Sequence, residues 1–226
     1  MNIQGYQKVT LLDYPGKVAC TLFTGGCNLR CPFCHNGGLV RTPAEHPNAE
    51  VEVMDYLTKR VGILDGVCIT GGEPLLQPDL AAFMQRLKDL GYAIKLDTNG
   101  ALPARLKSIL ATGLVDYVAM DVKSSPEGYP KATGCDVNFA TFAESMEVIR
   151  ASGVSFEFRT TAVKGIHTPE DFEAIAQMIG DVPYFIQTFT DSGNLLTNGW
   201  TAFSEEETQA ILAAVRIHTP RAAKRG

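Results

Sequence analysis

Three cysteines fall within eight positions, in the run Cys27-Asn28-Leu29-Arg30-Cys31-Pro32-Phe33-Cys34, directly after a Gly25-Gly26 break. Thiolates gathered on one loop point to a metal, and clusters of the ferredoxin kind take four protein thiolates. Three would leave one iron free to bind a substrate. Other readings stand beside this one. Buried inert cysteines fit poorly with the Gly-Gly-Cys lead-in and the interposed Arg30. Zinc with His35 as fourth ligand would need adjacent residues to share one tetrahedral ion, whereas structural zinc usually draws on two separated pairs. Cys31 to His35 also matches the C-x-x-C-H pattern of c-type haem attachment, but that reading belongs to exported proteins and leaves Cys27 unexplained.

Further candidates lie downstream. Gly71-Gly72 lets backbone approach a ligand closely, since neither residue has a Cβ, and Pro74 shapes the turn that follows. Asp97, Asp121 and Lys123 are ionisable groups near strand ends, where burial is costly unless they meet one another or a ligand; a structural ion pair and a ligand contact are both open. Arg159 alternates with Phe156 and Phe158, so its direction is undetermined: inward it could grip a carboxylate with two hydrogen bonds, outward it would form a salt bridge. His167 either caps the helix after it or touches a ligand. Cys20 and Cys68 sit in apolar strands as small hydrophobes. Cys135 lies in a Pro- and Gly-rich stretch, Ser125 to Asp136, which reads as one long functional loop with the cysteine either incidental or reactive.

The elements that must position these residues alternate along the chain. Apolar, β-rich runs at 18–24, 66–70, 92–98, 117–122, 155–163 and 184–190 are separated by helical patterns at about 51–63, 80–90, 103–111, 138–151 and 169–179, with a last helix at about 204–217. Leu80, Phe83, Met84, Leu87 and Leu90 show the helical spacing most clearly. Strands alternating with helices imply a parallel sheet with right-handed crossovers, and six units are too few to close an eight-stranded barrel. The expected fold is therefore α/β, an open partial (β/α)6 barrel with parallel strands. In such folds reactive groups sit beyond the carboxyl ends of the strands, where Gly25–Gly38, Gly71–Pro74, Asp97–Gly100 and Asp121–Lys123 all fall.

The 226 residues, 45% hydrophobic and 20% charged, suffice for one sizeable core, and a single domain over 1–226 is expected. A formal charge of -5 argues against nucleic acid or an anionic membrane as main partner. The basic end, about 218–226, reads as a flexible, solvated tail. The start has no basic region followed by a long apolar run, and no stretch of about 18 apolar residues occurs, so a cytoplasmic location is expected. Six cysteines in such a chain do not read as a disulfide framework.

The spacing of Cys27, Cys31 and Cys34 resembles the signature of radical S-adenosylmethionine (SAM) enzymes, and Gly71-Gly72-Glu73-Pro74 resembles their SAM-binding motif. The segment from Leu11-Leu12-Asp13-Tyr14-Pro15-Gly16 to Cys34-His35-Asn36 is similar to the glycyl-radical-enzyme activases, particularly those of anaerobic ribonucleoside-triphosphate reductase. Asp97-Thr98-Asn99-Gly100 and Asp121-Val122-Lys123 are similar to other stretches of activases, including those of pyruvate formate-lyase. Only about 30 residues separate Cys34 from Gly66, so the chain resembles a minimal form without the inserted cluster-bearing domain of many activases.

The resemblance implies one [4Fe-4S] cluster on Cys27, Cys31 and Cys34, whose open iron chelates the methionine end of SAM. One-electron reduction would then release methionine and a 5′-deoxyadenosyl radical, with the protein supplying orientation, electrostatics and exclusion of water. Phe33 and His35 would contact the adenine, although Phe33 could instead pack on the cluster. Strand-end carbonyls at Gly71 and Gly72 could accept from SAM's amino group, while Glu73 either reinforces this or only fixes the turn. Lys123 and one aspartate would contact SAM, and Arg159 could hold its carboxylate. Asp97 could help hold a monovalent cation. The implied partners are a large glycyl-radical enzyme, most closely an anaerobic ribonucleotide reductase, and a flavodoxin-like low-potential electron donor. A small-molecule radical SAM enzyme, such as a 7-carboxy-7-deazaguanine synthase-like protein, shares the same motifs.

Overall fold

The computed structural model describes residues 1–41, 46 and 49–226. Its strands, in chain order, are β1 (Ile3–Thr10), β2 (Ala19–Thr24), β3 (Gly66–Gly71), β4 (Ala93–Thr98), β5 (Tyr117–Asp121), β6 (Ser155–Ala162), β7 (Tyr184–Thr188) and β8 (Ala222–Arg225). They form one sheet in the order β1 to β8. β1 runs antiparallel to β2, and every later pairing is parallel. The helices are α1 (Gly37–Arg41), α2 (Ala49–Thr58), α3 (Leu80–Asp89), α4 (Pro103–Leu110), α5 (Tyr129–Thr133), α6 (Phe139–Ala151), α7 (Pro169–Ile179) and α8 (Glu205–Val215). The six parallel strands read from the sequence are all present in an open α/β sheet.

Successive residues of a strand face opposite sides, and here the apolar set faces outward. Cys20, Leu22, Val67, Ile69, Ile94, Leu96, Val118, Met120, Phe158, Tyr184 and Ile186 are buried in one core cluster with the helices. The helices meet them with single apolar faces: Leu80, Phe83, Met84 and Leu87 of α3, Phe142, Met146 and Ile149 of α6, and Phe172, Ile175, Ala176 and Ile179 of α7. This is the i, i+3, i+4, i+7 spacing of an amphipathic helix. At the start of α8, Ser204 and Glu207 cap each other's backbone N–H at 3.1 and 2.8 Å, which fixes where that helix begins. The inner face carries the polar residues, among them Thr21, Thr70, Asp97, Asp121, Arg159, Thr161 and Gln187, around a cavity of about 380 Å³.

Several expectations need correction. β1 has no counterpart among the strands expected from the sequence, because IQGYQKVT has no apolar run; Gln7, Lys8 and Val9 are exposed. The basic end is not a solvated tail: Thr219 is fully buried, residues 222–225 form β8 on β7, and the Arg225 guanidinium bonds both oxygens of Glu157 at 2.6 and 2.9 Å. The stretch 125–136 is not one loop but contains α5, whose Tyr129 hydroxyl accepts from the Lys123 N–H at 3.2 Å. Helix α2 ends at Thr58 rather than near residue 63.

Candidate functional site

The cysteine loop leaves the end of β2 and is pinned by backbone hydrogen bonds from remote segments. The Arg30 N–H donates to the Thr133 carbonyl at 2.9 Å, the Thr197 N–H to the Pro32 carbonyl at 2.9 Å, and the Gly37 N–H to the Asn194 carbonyl at 3.2 Å. Cys31 is buried, and Cys27 and Cys34 are half-buried. Burial pushes the Cys31 thiol up to about 12, as for a thiol that ionises only when a cation comes to lie beside it. The Lys123 ammonium partly opposes that rise at Cys31. Among the described residues, no three His, Cys, Asp or Glu side chains converge to hold a single metal ion. A cluster takes each thiolate on a separate iron, and the three-thiolate loop suits it.

The Gly71-Gly72 pair serves packing first. A Cβ on Gly71 would lie 2.3 Å from the Thr24 nitrogen, and one on Gly72 would lie 2.0 Å from the Gly26 carbonyl oxygen. The Gly72 N–H donates to Thr24 and the Glu73 N–H to Gly26, each at 2.8 Å, so the turn after β3 is bonded directly to the lead-in of the cysteine loop. Glu73 is expected as a cofactor contact, but it does not line the cavity. It is fully buried; its carboxylate accepts from the Leu75 N–H at 3.1 Å, the Thr98 hydroxyl at 2.9 Å and the Asn99 N–H at 2.7 Å. Of its two roles, the structure therefore gives it the turn, which it ties to Asp97–Gly100. Burial pushes its carboxyl up to about 7 despite these donors.

Across the cavity floor runs an alternating array of charges. Lys95 pairs with Asp97 Oδ1; Arg159 donates to Asp97 Oδ2 at 3.2 Å and to Asp121 Oδ1 at 3.0 and 2.9 Å; Lys123 donates to Asp121 Oδ2 at 2.9 Å. The register places Asp121 beside Arg159 and Ala119 beside Asp97, which turns all these side chains inward. Burial opposes ionisation of Asp97 and Asp121, but the Arg159 guanidinium and the neighbouring ammonium groups hold both carboxyls below their ordinary values. Arg159 is thus an inward residue, and Asp97, Asp121 and Lys123 are brought together as expected. Asp97 is also the residue expected to help hold a monovalent cation, and both of its oxygens take protein cations.

Phe33 is buried and His35 exposed; both line the cavity. The His35 ring lies 5.5 Å from that of Phe189, and Phe33 meets His167 edge-on at 6.0 Å. His167 does not face the cavity. Its Nδ1 accepts from the Val163 N–H at 3.1 Å, so Nε2 carries the proton and donates to the Lys123 carbonyl at 2.7 Å. It joins the ends of β5 and β6 and is not a helix cap. Residues not read as candidates also contribute. Asn36 donates to the Gly71 carbonyl at 3.2 Å, and Asn99 donates to Asn28 at 2.9 Å and towards Cys27 Sγ at 3.7 Å. Both stand inside the motifs, where an asparagine amid unusual residues was the available signal. Asp13, inside the Leu11–Gly16 stretch, also lines the cavity, as do Gln7, Thr21, Thr161 and Gln187, which carry no local motif. Cys135 sits 4.0 Å from the Asn28 carbonyl.

The family model described as the radical SAM superfamily matches residues 21–179. The chain belongs to the radical SAM superfamily. A [4Fe-4S] cluster and SAM are the cofactors of that superfamily and of this chain. A Methanocaldococcus jannaschii protein assigned as a glycyl-radical enzyme activating enzyme is 31% identical over 83% of this chain and 79% of its own length. A 7-carboxy-7-deazaguanine synthase of Methanopyrus kandleri is 28% identical over 88% and 82%. A protein of Pyrobaculum aerophilum assigned as a GTP 3′,8-cyclase is 29% identical over 78% of this chain, which spans only 56% of that protein. Among solved structures, a radical SAM methyltransferase from Sphaerobacter thermophilus superposes with a TM-score of 0.73 at 14% identity, over 96% of this chain and 68% of that one; this likeness concerns the fold alone. Among the described residues, no helix of this radical SAM protein is long and apolar enough to cross a membrane.

Proposed function

We propose that this chain is a glycyl-radical-enzyme activase, with an anaerobic ribonucleoside-triphosphate reductase as its partner. The observation that carries the reading is the similarity to the Methanocaldococcus jannaschii protein, which runs through most of both chains. When bound, the cluster and SAM supply a 5′-deoxyadenosyl radical able to take hydrogen from a glycine Cα. In this reading Cys27, Cys31 and Cys34 hold the cluster, and the buried setting around Cys31 keeps water from it. Lys123 and Arg159 present positive charge towards the carboxylate of SAM, with Asp97 and Asp121 fixing their direction. Phe33 and His35 flank the adenine, and the Gly71-Gly72 edge receives the amino group.

Anaerobic incubation of the reconstituted protein with SAM, a low-potential flavodoxin-like donor and the candidate reductase is expected to give a glycyl-radical doublet in the EPR spectrum. No doublet, from protein that still cleaves SAM, overturns the partner assignment. A small-molecule reaction is the second reading, supported by the nearly full-length match to the Methanopyrus kandleri synthase. A small substrate that stimulates SAM cleavage with no protein partner would favour it.

A further inference from the structure

Asp97 on β4 lies beside Ala119 of β5, two residues before Asp121, so the two carboxylates share one face of the sheet and turn into the same cavity. Two buried carboxylates in one site repel each other unless a cation lies between them. Here that cation is part of the chain. One guanidinium, Arg159, reaches both: 3.2 Å to Asp97 Oδ2, and 3.0 and 2.9 Å to Asp121 Oδ1. The remaining oxygens are taken by Lys95 and by Lys123. Lys95 is itself only 1% exposed, and its ammonium also lies 3.7 Å from Cys68 Sγ. All four carboxylate oxygens thus meet a charged donor, and three cations face two anions.

We propose that Arg159, with Lys95 behind it, is a built-in cation that takes the place of a bound monovalent ion between Asp97 and Asp121, so that SAM binding by this chain is independent of sodium and potassium. A monovalent ion needs oxygen ligands with lone pairs turned towards it and a site of negative charge. Here the two carboxylates are already offset by three protein cations, and their oxygens point at guanidinium and ammonium hydrogens. An entering ion would have to displace Arg159, whose fixed planar fork bridges the two carboxylates. Lys95 is a positioning residue: held from below, Asp97 cannot turn away from Arg159. The inference rests on the SAM chemistry of the superfamily and not on the activase reading.

The test uses reconstituted holoprotein in a buffer whose sole monovalent cation is tetraalkylammonium, at matched ionic strength. SAM affinity by equilibrium dialysis is expected to change less than about twofold when sodium or potassium is added, because an ion without a site has no coupling to SAM. The sodium-23 NMR line is expected to show no saturable broadening. Arg159→Ala, which leaves the two carboxylates facing each other, is expected to lose about tenfold or more in SAM affinity. It should recover part of that with sodium and broaden the sodium line. Arg159→Lys, which keeps the charge, is expected to stay sodium-independent. A saturable sodium or potassium response of the wild-type protein, in either readout, overturns the proposal. So does a folded Arg159→Ala protein with no sodium response. The wild-type arm decides even if that variant does not fold, and neither arm involves a glycyl-radical partner.

Discussion

Gly72 has no room for a side chain, since the missing Cβ would lie 2.0 Å from the Gly26 backbone. Gly72→Ala is therefore expected to destabilise the fold by the upper end of the ~1–3 kcal/mol typical of overpacking and to lower iron and sulfide retained per chain. Gly5→Ala, with open space around it, is the control and should do neither. His167 makes a pH-dependent contribution. Burial holds its imidazole below the ordinary value, so its folded pKa lies under the unfolded one of about 6.5. Its stabilisation is then present above that value and lost as pH falls through the folded pKa. Compared with His167→Gln in urea denaturation, the wild type's advantage is expected to shrink between about pH 8 and about pH 5. The three cysteines and the acidic and basic strand ends were legible because few other roles put such residues in such places. The roles of Glu73 and His167 were not, because each depends on which backbone donors the folded chain brings to it.

At the scale of elements, β8 changes the account of the basic end. Glu157 is fully buried, and Arg225, which also stacks 3.6 Å over the Phe185 ring, bonds both of its oxygens, while the Tyr117 hydroxyl donates to one at 2.9 Å. Arg225→Ala should leave a buried carboxylate short of a partner. Arg225 is partly exposed and Tyr117 remains, so the expected loss lies at or below the low end of the ~3–5 kcal/mol for breaking a buried pair. Thermal unfolding of Arg225→Ala and of the double variant with Glu157→Gln checks it: the double variant should regain part of the loss. Neither β1 nor β8 could be read from sequence, because their places are set by a neighbouring strand rather than by an apolar pattern of their own. The six strands β2 to β7 could be read, but not which face of β6 turned inward. Phe156 and Phe158 alternate cleanly with Glu157 and Arg159, and alternation alone does not say that the apolar set faces the helices while Arg159 lines the cavity and Glu157 meets Arg225.

The molecule as a whole turns a polar inner wall towards one cavity and closes it above with the cysteine loop. That loop is fastened by Thr133, Asn194 and Thr197, each far away in sequence. Cluster loading should therefore stabilise distant segments together, as a ligand bound only by the folded state does. Amide exchange near residues 133 and 194–197 is expected to slow on reconstitution, in step with a rise in melting temperature; slowing confined to residues 27–35 would contradict it. The architecture was legible because strand and helix periods alternate, whereas these long-range fastenings leave no local trace. The backbone bonds between Gly72, Glu73, Thr24 and Gly26 have a further consequence for engineering. The cysteine loop and the Gly71-Gly72 turn, proposed above to hold the cluster and to meet SAM, are two halves of one part. A transplant of the cysteine segment into another barrel must carry residues 24–36 and 70–73 together, in register, as a single cassette.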